Sequence, residues 1–197
     1  MKIELDPTEE KIVNATFNIL QKEGVTKATT KKIAKEAGVN EVTIFRKFDS
    51  KKNLVEVTKN YHIQLFMEKL EEIFDFRDNE EIEEYLQISF FGLLSLSDNE
   101  FSVLKVALEE VREIPEKKLL ISQVTDAILE KNEEFFKMQI EQGKIREVDP
   151  RVLGAICFSV LFQSIVFWKV YNVSQDLETN NYNEKFLDIL FNGIKSK

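Results

Sequence analysis

Apolar residues recur at intervals of three and four along nearly the whole of this 197-residue chain, and no stretch shows a period-2 strand pattern. Positions i, i+3 and i+4 share one helix face, so this spacing demands helices. Only six Gly and three Pro punctuate the sequence, too few for a loop-rich or all-β chain. The spacing predicts a first helix from about Asp6 to Lys22, with Ile12, Ala15, Thr16, Ile19 and Leu20 inward and Gly24 as its stop. A short second helix starts near Thr30, with Ile33, Ala34 and Ala37 inward and Lys31, Lys32 and Lys35 outward. Gly38 ends it. A third helix starts at Asn40, a good N-cap, and carries Ile44, Phe45 and Phe48. Ser50 caps a fourth, which continues towards Phe74.

Beyond it, Asp78 is expected to cap a helix through Ile82, Leu86, Ser89 and Leu93, and Asp98 or Asn99 to start one with Phe101 and Leu104. Pro115 opens a long helix ending at Gly143, Pro150 an unusually apolar one through Tyr171, and the last runs from Glu184 to about Ile194.

Charge divides this all-α chain. The formal net charge is −8, which argues against indiscriminate binding of polyanions. From Val25 to Asn60, however, nine Lys/Arg face four Asp/Glu, whereas from Tyr61 onward fifteen face twenty-six. A basic module on an acidic body suggests one phosphate-facing end. The N-terminus lacks an apolar signal core, and the run Val152–Val160 is too interrupted for a membrane span, so a soluble, cytoplasmic protein is expected. Cys157 is the only cysteine and sits in an apolar run, as a small buried hydrophobe would.

Two helices joined by a tight Gly-containing turn make a helix-turn-helix pattern. Here the turn is Ala37-Gly38-Val39-Asn40. Ile44 and Phe48 face inward on the following helix, leaving Glu41, Thr43, Arg46 and Lys47 on the side where a major groove would lie. Such a turn alone is common. The whole run from Thr29 to Leu54, with the upstream Ala15, Phe17 and Gly24, closely resembles the N-terminal domain of the TetR family of repressors. The resemblance implies a three-helix helix-turn-helix domain over residues 1–49. A larger helical ligand-binding and dimerisation bundle would follow over 50–197, giving about nine helices in all. Glu109 with Pro115-Glu116, and the stretch Gly143 to Pro150, fit the family's body more loosely.

Carried over by position, the resemblance places Thr30 and Lys51 on phosphates, while Lys31 is a candidate DNA contact by its outward position, or part of an ordinary solvated face. It puts Asn40, Glu41, Thr43, Phe45, Arg46 and Lys47 on the reading helix. Glu41 suits a cytosine amino group, and Arg46 or Lys47 a guanine or a phosphate. The chain departs from the family at three positions. Phe45 stands where Tyr is usual, Lys47 where an aromatic or His is usual, and Val42 where Gly is common.

The nearly all-round apolar helix from Val152 to Tyr171 needs cover on every face. An isologous homodimer provides it, through Phe158, Leu161, Phe162 and Ile165, with Phe186, Ile189 and Leu190 of the last helix. The Phe-rich body reads by default as core. A cavity for an apolar or amphipathic effector would draw on Phe66, Phe90, Phe101, Leu104, Leu108, Phe135, Met138, Gln163 and Phe167. His62 is the only histidine and lacks metal-ligand spacing, and no Gly-rich phosphate loop, nucleophile elbow or His-Glu metal motif occurs. No cofactor, metal or catalytic residue is expected. The partners expected are operator DNA, a small effector and a second copy of the chain. The competing reading is a helical small-molecule-binding or scaffold protein with weakened DNA reading, motivated by Val42 and Phe45.

Overall fold

The computed structural model describes residues 2–97, 99–103, 120–166 and 182–193. Eight helices lie among them: α1 Pro7–Lys27, α2 Thr30–Ala37, α3 Glu41–Phe48, α4 Lys51–Ile73, α5 Ile82–Leu94, α6 Leu120–Glu141, α7 Pro150–Ile165 and α8 Tyr182–Asn192. A further helical segment covers residues 99–103, and no strand occurs among the described residues. The all-α architecture expected from the periodicity is what the chain adopts. It divides into two compact units, Met1–Glu68 and Lys69–Lys197, with α4 carrying the chain from one to the next.

In the first unit α1 starts on a capping box. The Asp6 carboxylate accepts from the Thr8 and Glu9 amides, and the Glu9 side chain accepts from the Asp6 amide. At Gly24 the backbone leaves helical geometry at φ 78°, and the helix resumes to Lys27. The expected stop is thus a kink followed by one more turn. Thr29 caps α2, its hydroxyl accepting from the Lys32 amide. Gly38 closes α2 at φ 67°, the left-handed region where a side chain is strained. Asn40 then caps α3, accepting from the Val42 amide at 2.9 Å. One core holds these elements together. Ile12, Val13, Ile19 and Leu20 of α1 meet Ile33 and Ala34 of α2, Ile44 and Phe48 of α3, and Leu54 and Val55 of α4. Val39 in the turn packs against this core.

In the second unit, α5 begins at Ile82 with Glu81 as N-cap, not at Asp78. The reason is a turn over residues 77–80, in which the buried Glu80 carboxylate accepts from the Arg77 amide at 2.9 Å and the Glu80 amide donates to the Arg77 carbonyl. Asp78 lies inside that turn and caps nothing. Tyr85 of α5 stacks on Phe135 of α6 with centroids 3.8 Å apart, and Phe76 meets both edge-on. The Tyr85 hydroxyl donates to Asn132 Oδ1 at 2.8 Å, and Gln139 Nε2 donates to the Glu80 carbonyl at 2.8 Å. α7 lies close against α6 because Gly154 has no side chain to hold it off Asn132. Asp149 caps α7, with Pro150 in its first turn. The last helix begins at Tyr182, two residues before Glu184. The start at Pro115 and the end at Tyr171 fall outside the described residues.

Cys157 is 1% exposed, and burial pushes its thiol up to about 12, the inert state expected of a small core residue. Among the described residues no helix is long and apolar enough to cross a membrane, and no three His, Cys, Asp or Glu side chains gather as metal ligands.

Candidate nucleic-acid interface

The short helix α3 has two faces. Ile44 and Phe48 are buried beneath it, at 0% and 3% exposure. Val42, Phe45 and Arg46 are exposed above it, and Glu41, Thr43 and Lys47 sit half-buried at its flanks. Lys31, Lys32 and Lys35 are exposed on α2. One structural device therefore fixes α3 to the domain and leaves its outer face open.

The polar groups around that face are not equally free. Thr30 Oγ1 donates to Glu41 Oε1 at 2.6 Å, tying the first residue of α2 to the first of α3. Lys47 reaches away from the outer face. Its ammonium donates to Asp6 and lies 3.5 Å from the Glu9 carboxylate. The hydrogen bond from Lys47 holds the Asp6 carboxyl well below the usual range, at about 2, and the same bond raises Lys47. Lys51 Nζ donates to the Val25 carbonyl at 3.0 Å. Lys32 pairs with Glu23. Among the described residues no carboxylate pairs with Arg46 or Lys31. Of the residues expected on DNA, Asn40 caps its helix and is itself exposed, while Phe45 is 46% exposed. Val42 was noted in the sequence only as a departure. It is 71% exposed, whereas Lys47 is half-buried.

His62 stacks on Phe17, centroids 3.7 Å apart, and burial lowers it to about 4. It is a neutral packing residue, as its isolation in the sequence implies.

In the second unit, the residues expected to line a cavity are placed as follows. Phe90, Phe101 and Phe135 are buried, Met138 is half-buried and Gln163 is exposed. Phe135 is wedged between Tyr85, Phe76 and Phe136, which is core packing. Phe66, at 2% exposure, belongs to the first unit. Leu104, Leu108 and Phe167 lie outside the described residues. A cleft of about 350 Å³ opens elsewhere, lined by Ile82, Phe136, Ile145, Val148, Leu153, Leu190 and Phe191 with Lys144 and Arg146. Lys144 is held by Glu81 at 2.8 Å, and no carboxylate among the described residues pairs with Arg146. None of these residues is among the nine that the sequence offered as cavity lining, although Ile82, Leu190 and the stretch Gly143 to Pro150 were marked for other roles. The signal was present in Lys144-Ile145-Arg146, cations alternating with an apolar residue just after a helix stop.

Of the residues expected at a dimer interface, Phe158, Leu161 and Ile165 are buried within the chain itself, and Phe162, Phe186 and Leu190 are half-buried. The large apolar residues that α7 exposes are Val152 at 55% and Ile156 at 52%, and α8 exposes Ile189 and Phe191.

Comparison with known proteins places this geometry. Residues 12–58 match the model for bacterial regulatory proteins of the tetR family. The chain is 45% identical over 56 residues to the uncharacterized HTH-type transcriptional regulator YvkB of Bacillus subtilis (strain 168), a match covering 28% of this chain and 30% of that protein. It is 23% identical over 193 residues, 97% of each chain, to the fatty acid metabolism regulator protein of the same organism. Among solved structures it resembles the transcriptional regulator FadR from Bacillus subtilis in complex with stearoyl-CoA. The TM-score there is 0.67 at 22% identity, covering 94% of this chain and 99% of that one. These relatives are transcriptional regulators, not enzymes. Residues 12–58 thus carry a helix-turn-helix segment of the tetR-family type, and the chain as a whole shares the fold of these regulators.

Proposed function

We propose that the chain is a ligand-responsive, sequence-specific repressor that binds its operator as a homodimer and leaves it when an amphipathic small molecule enters the body. The observation that carries DNA reading is α3 itself, anchored by Ile44 and Phe48 and open at Val42, Phe45 and Arg46, on a segment that matches the family model. A dimer places two such helices about 34–36 Å apart, or a multiple of that, along one face of the duplex. The exposed Val152 and Ile156 of α7, with Ile189 of α8, support the last two helices as the dimer face.

The effector class favoured is a long apolar chain with an anionic head, of the acyl-CoA type. Two observations support it: the stearoyl-CoA on the similar regulator, and an apolar cleft whose two cations are Lys144 and Arg146. An effector that prefers the conformation with the wrong helix spacing weakens DNA binding by that preference alone. The test is a gel-shift titration with DNA flanking the gene, with and without stearoyl-CoA. Binding that weakens on adding the ligand is expected. No shift at low salt with any upstream fragment overturns the reading.

The scaffold alternative gains some support from Lys47 and Thr30, which are both satisfied inside the domain. It predicts that Arg46→Ala combined with Lys47→Ala leaves DNA affinity unchanged.

A further inference from the structure

We propose that Val42 and Phe45 are specificity-determining residues that read the methyl groups of thymines in the major groove. The inference rests on the DNA-binding reading above and adds to it what the helix reads.

Val42 is the second residue of an eight-residue helix and is 71% exposed. Phe45 lies one turn further along the same face, 46% exposed. Neither belongs to the core of the unit, which lies under the opposite face. A β-branched residue does not favour an exposed helix position, and its exposure contributes nothing to folding. Single exposed apolar residues are ordinary. Here, however, two stand i and i+3 near the start of the element whose N-terminal residues approach base edges in this class of domain. Their surroundings fit DNA rather than a protein partner. Arg46 follows Phe45 and is exposed like them, and α2 of the same unit exposes Lys31 and Lys35. An exposed apolar pair beside Arg46, in a unit with further exposed lysines, suits a polyanion carrying apolar groups in its groove.

In the major groove the thymine methyl is the one apolar group that a base pair offers to such side chains. Neither Val42 nor Phe45 can donate or accept a hydrogen bond, so they cannot discriminate the other base edges directly. The neighbouring polar residues are partly committed elsewhere: Glu41 accepts from Thr30, and Lys47 is paired with Asp6. The apolar pair is therefore the part of the outer face whose chemistry names a base most narrowly.

The test uses the full chain and random-sequence duplex DNA to select a preferred site. Thymines in that site are then replaced by uracil, which keeps base pairing and removes only the methyl. Wild-type protein is expected to lose about fourfold in affinity per contacted methyl, and these losses multiply across the two half-sites. Val42→Ala with Phe45→Ala binds the thymine site more weakly and is expected to bind thymine and uracil versions alike. Both replacements are at exposed helix positions where Ala favours the helix, and a thermal melt checks that the variant folds. Equal wild-type affinity for the two duplexes overturns the proposal. So does an equal loss in wild type and variant, which assigns the effect to DNA shape. If no sequence is selected at all, the DNA-binding reading falls and this inference falls with it.

Discussion

Lys47 lies on α3, yet its ammonium is bound to α1 through Asp6 and Glu9. Its place in the sequence shows a cation on the reading helix but not the capping box 41 residues earlier that claims it. Among the described residues Arg46 has no such partner, so Arg46→Ala is expected to weaken DNA binding more, and to flatten the salt dependence more, than Lys47→Ala. Binding isotherms over a range of salt concentrations measure both. The pairing also sets a pH dependence. Asp6 titrates near 2 in the folded chain against an ordinary 3.8, so its contribution is present above about pH 4 and is lost as pH falls towards 2. In Lys47→Ala, NMR titration should find the Asp6 carboxyl moved back up towards its ordinary value. His62 acts in a nearer-neutral window. Its folded value is about 4 against an ordinary 6.5, so the unfolded chain takes up the proton first and stability falls between about pH 6.5 and 4. Replacing His62 with Phe removes that term. Urea midpoints at pH 7 and pH 5 should differ less in the variant than in wild type.

At the scale of elements, helix existence was legible and helix ends less so. α2, its turn and α3 follow from Ile33, Ala34, Gly38, Asn40, Ile44 and Phe48, because periodicity, stop and cap agree there. Gly38 has φ 67° and no atom near a built Cβ, so Gly38→Ala meets backbone strain alone and should cost about 1 kcal/mol in chemical denaturation. The start of α5 was not legible, since Asp78 is as good a cap in isolation as any. What moves the start is Glu80 folding back on the Arg77 amide, a choice made by burial. Two helical glycines separate propensity from packing. Ala normally stabilises a helix interior relative to Gly. At Gly154 an added Cβ would lie 2.9 Å from the Asn132 Cβ, beside the α6 backbone, so Gly154→Ala should instead destabilise by about 1–3 kcal/mol. At Gly92 the close atom is Cγ2 of Ile73, also at 2.9 Å, a side-chain methyl that can move. Gly92→Ala should therefore fall near neutral. Thermal melts of the two variants give the comparison.

Along the whole molecule a basic helix-turn-helix segment is followed by an acidic body, and that asymmetry was readable from the charges alone. Where the apolar helix α7 turns its faces was not. All-round hydrophobicity shows that every face needs cover, but only the fold shows that Phe158, Leu161 and Ile165 find cover within the chain while Val152 and Ile156 do not. Val152→Glu with Ile156→Glu should accordingly convert the dimer to monomer in sedimentation velocity, and lower operator affinity by removing the second half-site. The cleft beside Lys144 and Arg146 was equally hidden, because Ile82, Arg146 and Leu190 meet only through the packing of segments far apart in sequence. This face of α3 is proposed to read a specific DNA sequence. Selection from random duplexes by the full chain, followed by binding isotherms on the winner and on scrambled DNA at physiological salt, tests it most directly. The expected result is a two-fold symmetric winner bound at least about a thousandfold more tightly than scrambled DNA, with the preference reduced by Arg46→Ala. Equal affinity for both duplexes, or a preference that Arg46→Ala leaves intact, contradicts it.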